Sequence, residues 1–153
     1  MKIRLIAVGK VREPYVAAAV ADFVARLRHY DEVAVHEVAA AHGADPQRAM
    51  REEGARILRA IAPDDTLWLL ERTGTQLGSV ELVERLAALA LEGRTRLTIA
   101  LAGTYGADAA LLARADFQWS LSRLTFLHEW ARAIVLEQLY RAAKIARNEP
   151  YHH

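Results

Sequence analysis

Cysteine is absent from this sequence of 153 residues, which excludes disulfide bonds and metal sites built from thiolates. Long hydrophobic runs are also absent, since no apolar stretch approaches the roughly 20 residues that a membrane-spanning helix needs. The N-terminus has the pattern of a strand, without the apolar core or cleavage site of a signal peptide. Low-complexity segments, repeats and linkers are missing as well. We therefore expect a cytoplasmic protein that forms one domain over residues 1–153 and has no membrane partner.

The sequence also lacks a large excess of charge of either sign. Its 20 Lys and Arg residues nearly balance its 19 Asp and Glu residues, so the formal net charge is +1. A protein that coats nucleic acid by charge alone is far more basic. The first dozen residues nevertheless contain Lys2, Arg4, Lys10 and Arg12 before the first acid, Glu13. These cations indicate either a local basic patch or the ordinary solvated ends of a strand.

Short apolar stretches alternate with segments of helical periodicity along the whole chain. Strands are predicted at residues 3–9, 32–39, 66–71 and 96–103, and the last two are nearly continuous in apolar content, as expected for strands covered on both faces. Helices are predicted after Pro14, after an N-cap at Asp45, after an N-cap at Ser79, over 107–115 and over 129–147. This alternation predicts the α/β class, with right-handed crossovers and a mostly parallel sheet that carries helices on both faces.

In such sheets, ligands bind beyond the carboxyl ends of the strands. Three segments come at those ends: 70–74, 101–106 and the residues after 119–122. Gly103 and Gly106 flank a tight turn in the second segment, where backbone can approach a ligand without an intervening Cβ. An ordinary strand-to-helix turn would carry the same glycines, so both interpretations stay open from the residues alone. Neither a dinucleotide fingerprint nor a Walker A sequence is present.

The chain ends on Pro-Tyr-His-His directly after the long predicted helix. Three interpretations of this ending compete: a tag remnant, a metal-binding pair of histidines, or a terminus that folds back into a working site. The sequence after His128 resembles the start of a zinc-protease motif, but the position of its second histidine is occupied by Arg132, which cannot bind zinc. The side chains of the adjacent His152 and His153 would generally diverge. We therefore predict no metal site.

Several of these segments together carry a resemblance to a known family. They are the opening MKIRLIAVGK, the strand end LERTG, the glycine loop after the next strand, SLSRLTF at 120–126, and LEQLYRAAKIARNEPYH at 136–152. With them, the whole chain resembles the ribosomal RNA large subunit methyltransferase H family, a minimal member of the SPOUT class of S-adenosyl-L-methionine-dependent methyltransferases. It departs from the family pattern at Ala102, where a glycine is usual, at Leu127, where a proline is usual, and at the final His153.

The resemblance implies an α/β fold with a C-terminal trefoil knot, a homodimer, and methylation of N3 of a pseudouridine in 23S ribosomal RNA. The apolar character of the helix at 129–147 also predicts a homodimer, because so many apolar residues would not suit an exposed face. For the cofactor S-adenosyl-L-methionine, the matching positions are Leu70, Ala102, Gly103, Gly106, Leu121, Ser122, Arg123, Leu124, Thr125 and Phe126. For the substrate and catalysis, they are His128, Arg132, Glu137, Tyr140, Arg141, Tyr151 and His152.

Methyl transfer from a sulfonium needs no metal, but it needs an aligned nucleophile and a partner for the N3 proton. Positive charge from Arg132 or Arg141 would favour the deprotonated ring. His152 is the candidate base because the ordinary pKa of histidine lies near neutrality, and Tyr151 offers a stacking face with a hydroxyl. The ending is thus interpreted as part of the site, and the ribosome, recognised by shape, as the RNA partner. The alternative function is a non-catalytic SPOUT-like protein that binds RNA or an adenosyl ligand.

Overall fold

The structure, a computed structural model, describes residues 1–43 and 45–151. Its strands are β1 Lys2–Val8, β2 Glu32–Val38, β3 Thr66–Gln76, β4 Arg96–Leu101 and β5 Phe117–Ser120. Its helices are α1 Pro14–Leu27, α2 Pro46–Ala60, α3 Ser79–Leu91, α4 Ala109–Arg114 and α5 Trp130–Ala146. The strands form one parallel sheet in the order β2-β1-β4-β3-β5. The predicted α/β class with a parallel sheet is confirmed.

Helices cover both faces of the sheet because successive residues of each strand point to opposite sides. On one face, Ile3 and Leu5 of β1 lie in a core with residues of α1, α3 and α5. On the other face, Ile6 and Val8 of the same strand pack with residues of α2 and α4. Burial on both sides explains why the central strands are nearly continuous in apolar content.

Two of the three predicted helix starts are confirmed. Helix α1 begins at Pro14, and the side chain of Asp45 accepts a hydrogen bond from the backbone N–H of Gln47 at 3.0 Å, as an N-cap should. The predicted N-cap at Ser79 is wrong. Gly78 holds that position, and its N–H donates to the Glu81 carboxylate at 2.6 Å, which supports the first turn of α3 in place of a serine hydroxyl.

The sheet contains one strand that the sequence did not predict, β5, and β3 extends beyond the predicted 66–71. These two strands pair in two registers, because Leu70 and Thr75 both lie opposite Trp119. Residues 71–74 therefore bulge out of the ladder. The bulge lies at the carboxyl edge of the sheet, where ligands are expected.

Helix α5 packs against the sheet, α1 and α3. Its residues Val135, Leu136 and Leu139 are at most 2% exposed within the single chain. The reason given for a homodimer was therefore wrong, since the same chain covers these apolar side chains. Other large apolar side chains are exposed. Among them are Tyr15 and Trp130, whose ring centroids lie 6.0 Å apart.

Two further properties concern the chain as a whole. Within the described residues, no helix combines the length and the apolar character that crossing a membrane requires. The trefoil knot does not follow from the strand order and stays a prediction.

Candidate active site

A cavity of about 430 Å³ lies at the carboxyl edge of the sheet, where the neighbouring strands β4, β3 and β5 end. The segments that follow these strands supply most of its walls. Of the predicted cofactor residues, Arg123 alone lies outside the cavity. This exposed residue lines a neighbouring depression together with Arg72. The other predicted cofactor residues all line the cavity: Leu70, Ala102, Gly103, Gly106, Leu121, Ser122, Leu124, Thr125 and Phe126.

The cavity also has walls that the sequence did not single out. Glu71 and Arg72 come directly after Leu70, and Thr104 and Tyr105 lie inside the glycine turn. All four lie within the segments 70–74 and 101–106, so these segments contained the signal. Trp119 carried a weaker signal, because the sequence marked 119–122 only as the end of a strand whose bounds it did not predict.

The turn after β4 closes on itself. The backbone N–H of Gly106 donates to the Gly103 carbonyl at 2.9 Å, and the two residues form an isolated antiparallel bridge. Gly106 has a φ of 93°, a conformation that residues with a side chain rarely adopt. The cavity wall at residues 103–106 is thus a closed turn whose shape depends on glycine.

The requirement for glycine at position 103 has a cause that the sequence did not reveal. A Cβ at Gly103 would lie 1.9 Å from Oε2 of Glu53, a residue of α2 that is 7% exposed. The other carboxylate oxygen, Oε1, accepts a hydrogen bond from the backbone N–H of Ala41 at 3.4 Å. Gly103 therefore leaves space for a buried carboxylate, whereas the sequence interpretation had reserved that space for a ligand.

His128 and Arg132 converge on the carboxyl end of β1. His128 lines the cavity, and its Nε2 lies 3.3 Å from the Val8 carbonyl oxygen. Arg132 is only 1% exposed, and its guanidinium donates to the carbonyls of Val8 at 2.7 Å and Gly9 at 3.0 Å and to the Glu37 carboxylate at 3.2 Å. These bonds fasten the start of α5 to β1 and give Arg132 a structural role.

A second group of predicted residues, here called the tail cluster, comprises Glu137, Tyr140, Arg141 and Tyr151. The Glu137 carboxylate accepts hydrogen bonds from Arg141 at 2.8 Å and from the Tyr151 hydroxyl at 3.0 Å. The Tyr151 ring packs against the Tyr140 ring, with 4.9 Å between the two centroids. The Arg141 guanidinium lies 4.7 Å from the Tyr151 ring centroid. Burial raises the pKa of the Tyr151 phenol, and its hydrogen bond to Glu137 raises it further. The phenol is therefore a hydrogen-bond donor at neutral pH.

The tail cluster and the cavity are separate in the single chain. None of the four residues of the tail cluster lines the cavity. Helix α5 begins at the cavity, where Ala131 forms part of the wall, and ends near the amino edge of the sheet, where Arg147 shares a groove with Met1. His152, the predicted base, lies outside the described residues.

The four early cations do not form one patch. Lys2 pairs with Glu32 at 3.0 Å, and Arg4 donates to the Ala60 carbonyl at 2.7 Å. Lys10 and Arg12 follow the other, carboxyl end of β1. Lys2 thus fits the interpretation as an ordinary solvated strand end, whereas Arg4 lies within β1 and is half-buried.

The cavity has the character of a site for a small organic ligand. Its walls combine apolar side chains, such as Leu70, Leu121 and Phe126, with a few polar groups, such as the hydroxyls of Ser122 and Thr125. Its volume lies in the range typical of small-molecule sites. Within residues 1–43 and 45–151, no three His, Asp or Glu residues come together in a way that could hold a metal ion.

Comparison with known proteins gives matches along the entire chain. Residues 1–152 match the protein family described as "Predicted SPOUT methyltransferase". A protein from Trichlorobacter lovleyi named ribosomal RNA large subunit methyltransferase H is 37% identical over 153 residues, which is 100% of both chains. Proteins of the same name from Bifidobacterium adolescentis and Desulfitobacterium hafniense are 40% and 35% identical over 158 residues, covering 99% of each chain. The chain therefore belongs to the SPOUT methyltransferase family and, within it, to the family of ribosomal RNA large subunit methyltransferase H.

Proposed function

We propose that this protein is an enzyme that transfers a methyl group from S-adenosyl-L-methionine to N3 of a pseudouridine in 23S ribosomal RNA. The observation that carries the proposal is the cavity at the carboxyl edge, walled by the 103–106 turn and the 121–126 segment, in a chain of this family. The names of the relatives support ribosomal RNA as the substrate. The net charge of +1 favours the assembled ribosome, because a nearly neutral protein has little general affinity for naked RNA.

The residues of the cavity suit S-adenosyl-L-methionine. Leu70, Leu121 and Phe126 offer apolar surface for an adenine ring, and the hydroxyls of Ser122 and Thr125 offer hydrogen bonds. The turn at 103–106 presents the backbone of its two glycines and the side chains of Thr104 and Tyr105 to the cavity. When bound, the cofactor supplies an electrophilic methyl group on a sulfonium, and the chain supplies the orientation.

The protein's own part in the chemistry is to position the base and to accept a proton. N3 of the pseudouridine gains the methyl group and loses its proton, which passes to a base. Tyr151 is not available as a base at neutral pH, because its raised pKa keeps the phenol protonated, and its proposed role is to stack on the pseudouridine ring. His152 is the proposed base, since the ordinary pKa of histidine lies near neutrality.

The proposed active enzyme is a homodimer that shares its sites between chains. One pseudouridine can meet both the cavity and an intact tail cluster if a second chain brings its tail cluster to the cavity of the first. The exposed side chains of Tyr15, Leu127 and Trp130, near the start of α5, offer apolar surface for such a copy. A two-fold arrangement would create two equivalent shared sites.

Two measurements test the function. Calorimetry with S-adenosyl-L-methionine is expected to detect binding to the purified protein. In a methylation assay on ribosomes that lack the modification, the protein should add one methyl group to N3 of a pseudouridine. Mass spectrometry of the digested RNA would detect this group. Ribosomes that already carry the methyl group serve as the matched control.

The outcomes separate the alternatives. Cofactor binding without methylation of either ribosomes or their free RNA would favour a non-catalytic binding protein. The departures from the family pattern at Ala102 and Leu127 are compatible with that alternative. No cofactor binding would overturn the proposal.

A further inference from the structure

A second depression, of about 470 Å³, adjoins the cavity. Its walls are Arg72, Thr73, Gly74, Gln76 and Arg123. Arg72 also lines the cavity, so the two spaces are neighbours. Among the described residues, its walls thus contain two guanidinium groups and no carboxylate.

Both guanidinium groups are available to a ligand. Arg72 and Arg123 are exposed, and within the part of the chain that the structure describes neither side chain has an ion-pair or hydrogen-bond partner. The adjacent acid, Glu71, accepts a hydrogen bond from the Thr73 hydroxyl at 3.3 Å and forms no ion pair with Arg72. Two cations that face one depression without an acid favour an anionic ligand there.

The backbone beneath both arginines is held by one buried hydroxyl. Ser120 is 2% exposed, and its Oγ lies 2.9 Å from the Arg72 carbonyl oxygen and 3.1 Å from the Ser122 carbonyl oxygen, to either of which it can donate. The Ser122 hydroxyl in turn accepts a hydrogen bond from the Leu124 N–H at 3.0 Å, across Arg123. The bulge after β3 and the turn after β5 therefore present their arginines from tethered backbone.

We propose that Arg72 and Arg123 bind the phosphate backbone of the substrate RNA, next to the nucleotide that enters the cavity. This inference rests on the proposed function and names a contact through which the substrate is held. Guanidinium groups form paired hydrogen bonds with phosphate oxygens, and such contacts position a nucleic acid without selecting its sequence. Because the net charge is only +1, a few local contacts of this kind have to hold the RNA.

The test replaces both arginines, as Arg72→Ala with Arg123→Ala, in the full-length protein. The matched control is Arg51→Ala with Arg59→Ala, since these arginines of α2 are also exposed and have no partner within the described residues. We expect the KM for ribosomes to rise about tenfold or more in the first variant, with kcat changed much less. The dependence of binding on salt should weaken by about one phosphate contact per arginine. The control should leave all these quantities unchanged.

A second variant separates charge from structure. Arg72→Lys with Arg123→Lys keeps both charges but not the paired geometry, so its KM should lie between those of the wild type and the alanine variant. The inference is overturned by an unchanged KM, by an equal rise in the control, or by alanine substitutions that dissociate the protein or unfold it. If the wild type binds no S-adenosyl-L-methionine, the proposed function fails and this inference fails with it. If the wild type methylates ribosomes and the alanine variant does so with the same KM, only this inference fails.

Discussion

Glu53 and Gly103 meet where α2 packs against the turn after β4. Because a Cβ at position 103 would lie 1.9 Å from the Glu53 carboxylate, Gly103→Ala should cost about 1–3 kcal/mol of unfolding free energy and weaken cofactor binding through the distorted turn. Adding Glu53→Ala makes room for the new methyl group, so the double variant should be more stable than Gly103→Ala alone. Urea unfolding and calorimetry of both single variants and the double variant would measure this coupling. Strictly additive effects would mean that Glu53 does not set the requirement for glycine at position 103.

Arg132 and Arg141 look alike in the sequence but differ in their surroundings. Arg132 is engaged by two backbone carbonyls and Glu37 in the interior, whereas Arg141 is partly exposed and bonds to Glu137 in the tail cluster. Of the two, Arg141 is therefore the better placed to bring positive charge to a substrate. The distinction depends on which side of α5 meets β1, and helical spacing alone does not reveal it.

The segment after α5 is tied down by Glu149. Its carboxylate accepts hydrogen bonds from the Lys144 ammonium and the Tyr30 hydroxyl, both at 2.6 Å. These bonds, first that of Lys144, lower the pKa of Glu149 below its ordinary value. A lowered folded-state pKa means that the stabilising contribution is fully present above the ordinary value of about 4.3 and is lost as the pH falls through the lowered value. The tether should therefore be intact across the neutral range.

This sign gives a pH prediction for the tail. The aromatic NMR signals of Tyr30, whose hydroxyl donates to Glu149, should be constant between about pH 5 and pH 8 and should shift only below the ordinary glutamate pKa of about 4.3. Glu149→Gln, which cannot ionise, should abolish that transition. A transition of these signals above pH 5 in the wild type that disappears in Glu149→Gln would contradict the lowered pKa. If Glu149 behaves as predicted, any loss of activity between pH 5 and pH 8 comes from the titration of another group, such as a histidine.

The regular elements of the fold were predictable where burial dictates a pattern. Strands β3 and β4 gave clear signals because both faces of the sheet are covered, and α1 and α2 because their first turns carry a proline. Strand β5 gave only a strand end at 119–122 and no bounds, since it is only four residues long, at the edge of the sheet, and includes Gln118 and Ser120. The extension of β3 through residues 71–76 is polar and exposed, and only its pairing with β5 makes it a strand.

The site was predictable where it follows the chain and unpredictable where it depends on packing. The walls at 101–106 and 121–126 follow the ends of strands, so topology and the family resemblance both indicated them. Glu53 gave no signal, because a glutamate inside a charged helix normally faces solvent. Its contact with Gly103 exists only once α2 lies against the turn. The separation of the tail cluster from the cavity likewise required the direction of α5 in space.

Because the tail cluster and the cavity are separate in the single chain, we predict that two inactive variants regain activity when they are mixed. One variant lacks residues 151–153. The other carries a substitution in the cavity, such as Thr125→Trp, that is used only if calorimetry detects no cofactor binding to it. Each homodimer then lacks an intact site, whereas a mixed dimer has one intact cavity facing one intact tail. Random exchange should make about half of the dimers mixed, each with one of its two sites complete, so activity should recover to about a quarter of the wild-type value. Sedimentation must first detect a dimer at micromolar concentration, and a monomer there would refute shared sites. If exchanged mixtures stay as inactive as either variant alone, the cavity and the tail of the same chain must act together, and the arrangement proposed here is wrong.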